Sequence, residues 1–124
     1  MNYNTVVRTE RGWAGHFICV SRCLFRRNTL LSYGDIKIVI STVGLMRMDN
    51  GEIEKIGCDR YFETMAFHAD SMDKRWFDAD ISRQVNFESE WAIEEKDADD
   101  KANDMHEAVV NEIAKGLLNG EDYE

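Results

Sequence analysis

Two short turns, Gly34-Asp35 and Asp49-Asn50-Gly51, each stand between runs of β-branched and aliphatic residues, and together they impose an antiparallel meander. Asn28 to Tyr33 faces Ile36 to Val43 across the first, a two-residue turn led by glycine. Leu45 to Met48 faces Glu52 to Ile56 across the second, where Asn-Gly supplies the positive backbone angles a tight hairpin needs. Ile36, Ile38 and Ile40 alternate with Lys37 and Val39, so one face of that strand is buried and the other only partly. Gly12 to Val20, Tyr61 to His68 and one or two runs between Trp76 and Ile93 supply further strands rich in aromatics, with the polar stretch Asp70 to Lys74 as a turn.

The pattern changes period near residue 97. Ala102, Met105, Val109, Ile113 and Leu117 recur every three or four positions, which predicts an amphipathic helix from Asp99 onwards. Asp97, Asp99 and Asp100 provide the N-cap and first-turn acids, and Gly120 follows the last apolar pair. The fold class is therefore α+β, a twisted antiparallel sheet with one C-terminal helix. The apolar stripe either covers the sheet of its own chain or pairs with a second copy, and a homodimer is the expectation.

A chain of 124 residues fits one domain, read as 1–120 with a loose acidic tail at 121–124. Hydrophobic residues make up 44%, enough for a core, and the longest stretch free of charge, Gly12 to Ser21, falls well short of a bilayer crossing, so no bilayer span is expected. Met1-Asn2-Tyr3-Asn4 lacks the basic and apolar regions of an export signal, and three cysteines form an odd set. Both features point to a reducing compartment, a cytoplasm.

Charge is unevenly distributed along the chain. Residues 1–48 carry seven basic and two acidic side chains, a net of +5, whereas residues 49–124 carry eight basic and 22 acidic ones, a net of −14. Glu88, Glu90, Glu94, Glu95, Asp97, Asp99, Asp100 and Asp104 crowd into seventeen positions. Carboxylates spaced along a rigid surface can imitate a nucleic-acid backbone for a partner with a basic groove. In the basic half, Arg8, Arg11, Arg22, Arg26 and Arg27, with Trp13 and His16 beside Gly12 and Gly15, form an alternative set suited to a phosphate and a stacked base.

Catalytic and metal chemistry find little support. His16, Cys19, Cys23, Cys58 and His68 carry the right atoms for zinc, but lack the paired close spacings of zinc sites. Asp78 and Asp80 fall on one side of a strand as a solvated pair, and Asp97 to Ala102 lacks the fifth ligand and the glycine of a calcium loop. No cofactor and no enzymatic activity are expected.

Three runs carry a resemblance: Arg11 to Ile18 (RGWAGHFI), Asp59 to Phe67 (DRYFETMAF) and Asp97 to Glu107 (DADDKANDMHE). In these the chain resembles small accessory proteins of bacteriophages and prophages. The resemblance brings no catalytic residues, but implies a non-enzymatic inhibitor of bacterial defence, anti-CRISPR-like, that binds a nuclease effector through its acidic surface. The alternative is a binder that sequesters a cyclic or other signalling nucleotide through the arginine-rich half.

Overall fold

The computed structural model describes residues 5–11, 22–57, 59–72 and 78–123. Its strands are β1 (Val7–Arg11), β2 (Cys23–Tyr33), β3 (Ile36–Arg47), β4 (Ile53–Glu54), β5 (Phe62–Ala69), β6 (Ala79–Val85) and β7 (Ala92–Ile93), followed by the helix α1 (Asp99–Leu118). The architecture is α+β, as the hydrophobic periods require. The expected strand from Gly12 to Val20 and the pair Trp76-Phe77 lie outside the described residues.

Among the described residues every strand pairing is antiparallel, in the order β1-β2-β3-β5-β6, with β4 also on β3 and β7 also on β5. The first hairpin closes with Tyr33 opposite Ile36, and Gly34 takes the left-handed φ of 61° that its turn position demands. The second closes around Gly51, φ 84°, and holds only two residues of β4 against Met46 and Arg47. β2 occupies one edge of β3, so β4 and β5 share the other as two lengths of a single column. β6 and β7 likewise share the free edge of β5, with Val85 opposite Ala66 and Ala92 opposite Glu63. The sheet is thus a meander of five columns. Two neighbouring columns are interrupted at the same end, by an excursion containing Asp59 and Arg60 and by another spanning residues 86–91.

α1 lies across β2, β3 and β5. Val109, Val110, Ile113 and Leu117 pack on Leu31, Ile38, Ile40, Ala66 and Val85, while Ala98, Ala102 and Met105 pack on Phe62 and Ile93. Each fully buried Ile or Val contributes about 1.5–3 kcal/mol relative to exposure. Of the two roles open to the apolar stripe, covering its own sheet is the one observed. The centre of β3 departs from the sequence expectation, because Ile38, Val39 and Ile40 are all at 0% exposure, so both faces are buried, while Ile36 at the turn is 41% exposed.

The N-cap of the helix also differs from expectation. Ala98 is the N-cap and makes no side-chain capping bond, so Asp99 and Asp100 act only as first-turn charges favoured by the helix dipole. At the other end Gly120, φ 78°, lets the chain reverse so that the Glu121 N–H donates to the Gly116 carbonyl at 2.9 Å. The tail beyond it carries Tyr123, half-buried against the α1 core, whose backbone carbonyl sits 3.2 Å from His68 Nε2.

Candidate functional site

The two column interruptions and the first half of α1 enclose an open groove of about 910 Å³. Asp59 and Arg60 come from one excursion, Glu90 and Trp91 from the other, Glu94 and Glu95 from the segment after β7, and Lys101, Asp104 and Met105 from α1. Five carboxylates face two cations there. Lys101 is paired with Glu95 at 2.5 Å, both more than half exposed, a contact worth little in water. Arg60 turns inward: its Nε donates to Glu63 at 2.7 Å, a carboxylate only 1% exposed, and its guanidinium stacks 5.1 Å from the centre of the Trp91 ring.

Trp91 is 47% exposed, yet its backbone is pinned. Its carbonyl accepts from the Thr64 N–H at 2.8 Å. Upstream, Glu112 of α1 accepts from the backbone N–H groups of Glu88 and Ser89, at 2.8 Å each, and from the Ser89 hydroxyl. Burial alone would raise the Glu112 carboxyl, but these donors outweigh it and hold it below the ordinary value. The excursion is therefore fixed to the helix at one end and to the sheet at the other.

Beneath the helix lies a second polar assembly. His106 of α1 is completely buried, with Nε2 2.7 Å from Thr29 Oγ1 and Nδ1 2.6 Å from Thr42 Oγ1, which in turn lies 2.6 Å from Thr64 Oγ1. Thr29 Oγ1 is also 2.6 Å from Glu10, which receives Arg8 and Arg27 at 2.7 Å each. Arg8 also forks onto both oxygens of Glu107, and Arg27 reaches that carboxylate at 3.0 Å. Burial would raise the Glu10 carboxyl, yet Thr29, Arg8 and Arg27 together hold it below its usual value, so it is ionised. The single Thr29 proton must then go to Glu10. That leaves the Thr29 oxygen to accept from His106 Nε2–H, and because burial keeps the ring neutral, the bare Nδ1 accepts from Thr42. The imidazole is thus a neutral Nε2–H tautomer.

Burial, followed by the charge of Arg27, pushes His106 down to about 4. Hydrogen bonds from Arg8 lead in pulling Glu107 down to about 2, with Arg27 adding to them against burial. Glu10, His106 and Glu107 bring potential metal-ligating atoms within 4.8 Å of one another. Two guanidinium groups already neutralise the carboxylates, and a divalent cation would have to displace both, so the donor set suits arginine rather than metal.

No family model matches this chain, no curated protein matches it, and no solved structure matches its fold. Assignment of a function therefore rests on the residues themselves.

Glu90, Glu94, Glu95 and Asp104 of the acidic set are brought into the one groove. Asp97, Asp99 and Asp100 are exposed in an adjoining shallow cleft that shares Lys101, and Glu88 faces a different depression with Glu112 and Lys115. The arginine set is dispersed. Arg8 and Arg27 lie on the α1 side of the sheet against Glu10 and Glu107, whereas Arg11 and Arg26 occupy register positions on the opposite side, beside Asn28 and opposite Val43. Arg22 pairs with Asp49 at 2.8 Å, and Trp13 and His16 lie outside the described residues. Of the zinc candidates, Cys23 is buried with Val43 and Ile56, and His16, Cys19 and Cys58 lie outside the described residues.

Sequence reasoning missed Asp59, Arg60 and Glu63 in this region. Asp59 has a left-handed φ of 60°, so its neighbourhood is a tight reversal, but no spacing signal connects it to residues thirty positions later. The threonines around His106 were missed for the same reason: Thr29, Thr42 and Thr64 share a face only through cross-strand register.

Proposed function

We propose that this chain is a non-enzymatic binding protein that docks a basic, nucleic-acid-binding partner on the groove formed by Asp59, Glu90, Glu94, Glu95 and Asp104. The observation that carries the reading is the convergence of carboxylates from four separate segments on one open surface, around an exposed tryptophan anchored on both sides. A rigid acidic surface of this kind matches a channel lined with lysine and arginine, and an aromatic at its centre supplies the apolar anchor that such interfaces use. The resemblance to phage accessory proteins directs the choice of partner to bacterial defence nucleases. His106, completely buried between Thr29 and Thr42, serves packing rather than acid–base chemistry, which favours binding over catalysis.

The test is a binding assay between the full chain and a panel of purified defence effectors, with and without their nucleic acid. The expected partner binds only when its nucleic-acid channel is empty, and its affinity falls at least tenfold between about 50 and 300 mM salt. Combined replacement Glu90→Gln, Glu94→Gln, Glu95→Gln and Asp104→Asn is expected to abolish binding without unfolding the protein, since all four side chains are exposed. Binding that ignores both salt and these substitutions would overturn the reading.

A further inference from the structure

Between the end of β6 at Val85 and the start of β7 at Ala92, no strand runs beside Thr64 and Met65 of β5; the Thr64 N–H is taken by the Trp91 carbonyl, and a cavity of about 290 Å³ opens there. Phe87 and Trp91 supply aromatic walls, Gln84 and Asn86 stand at its margin as exposed amides, and the Arg60–Glu63 ion pair lies at its base. We propose that this cavity binds a single uncharged heteroaromatic ring of nucleobase size, in the form of a base or nucleoside.

Three features select that chemistry. The volume falls just under the roughly 300–1,000 Å³ typical of drug-sized ligands, which leaves space for one or two fused rings and little else. Aromatic walls favour a ligand with a π face, and base–aromatic stacking tolerates any of the four bases. The two amides can each turn to present a donor and an acceptor together, the pairing that reads the edge of a nucleobase.

Charge decides against a phosphate. The ion pair at the base is internally neutral, and the adjoining groove, which shares Arg60 and Trp91 with this cavity, carries Asp59, Glu90, Glu94, Glu95 and Asp104. A nucleoside monophosphate would bring two negative charges towards that wall. The inference stands apart from the docking of a basic partner, because it depends on Gln84, Asn86 and Phe87, which lie outside the groove.

Saturation-transfer NMR on the full chain with adenosine, guanosine, cytidine, uridine and their 5′-monophosphates tests this. At least one nucleoside should bind saturably with a Kd of about 0.1–1 mM, the range expected of a ligand this small, and more tightly than its monophosphate. Gln84→Ala with Asn86→Ala should weaken it about tenfold or more, while Glu94→Gln with Asp104→Asn should leave it unchanged. Both amides are exposed, so the double variant is expected to fold, and circular dichroism would verify it. No saturable signal from any nucleoside, a monophosphate that binds more tightly, or undiminished binding by the folded double variant would each overturn the inference.

Discussion

His106 is neutral near pH 7 while the fold is intact, and its surroundings determine what acid does to the protein. Glu10 and Glu107 face it and favour the charged ring, Arg8 and Arg27 oppose it, and burial outweighs them all. A buried base whose pKa is about 4 in the folded state and 6.5 in the unfolded one contributes stability above pH 6.5 that is lost as pH falls towards 4. The full swing is about 3 kcal/mol. Urea unfolding followed from pH 7 to pH 4 should show this slope in the native protein and a much flatter one in His106→Gln; equal slopes would remove His106 as its source. Below pH 4.5 the stability contributed by the ion pairs of Glu107 is lost in turn, progressively down to its folded value of about 2. Gly116 offers a test of opposite sign in two backgrounds. A Cβ there would overlap the Tyr123 hydroxyl. Gly116→Ala should cost about 1–2 kcal/mol in the native chain, and in a Tyr123→Ala background should stabilise α1 by about 0.5–1 kcal/mol through helix propensity. Chemical denaturation of the four variants completes the cycle.

At the level of elements, both excursions depend on specific anchors. A Cβ at Gly44 would overlap the Phe62 ring, which is at 0% exposure and held edge-on by Phe25 at 5.5 Å, so the ring has nowhere to go. Gly44→Ala should destabilise by about 1–3 kcal/mol, read as a lower denaturation midpoint. Glu112→Ala removes the acceptor for three donors of the second excursion. Amide exchange at Glu88 and Ser89 should accelerate while the core strands keep their protection; unchanged exchange would mean that Glu112 does not fix the loop. The hairpins and the helix are legible in the sequence because their signals are local: a glycine at a turn position, or an apolar residue every three or four places. Gly34, Gly51 and the series from Ala102 to Leu117 each declare themselves within a few residues. The division of one column into β4 and β5 is not legible, since nothing near Ile56 or Asp59 records that the chain will return to the same edge of β3. The acidic residues of the groove could be read from their crowding between Glu88 and Asp104, but Asp59, Arg60 and the threonines around His106 meet only through register.

Over the whole molecule, the opposed charges of the two halves do not sort cleanly onto two faces. Arg8 and Arg27 are neutralised by Glu107 and Arg22 pairs with Asp49, so part of the basic half is offset by acids from the other. The groove keeps its excess of carboxylates, which is why a salt-dependent interaction is expected there and not at the arginines. Among the described residues, no helix is long and apolar enough to cross a membrane.

The position of α1 after every strand sets an order on biosynthesis. A ribosome that has released residues only as far as Ala98 presents Leu31, Ile38, Ile40, Phe62 and Ala66 with no helix to shield them, and Thr29 and Thr42 without their imidazole. The nascent sheet is then a sticky, non-local assembly waiting for the twenty residues of α1, the situation in which chaperones are recruited and aggregation competes. A chain ending at Ala98 should accordingly be protease-sensitive and prone to aggregate, and adding a synthetic peptide of residues 97–123 should restore resistance. Closure of the core is in this sense a single event, triggered when α1 clears the exit tunnel.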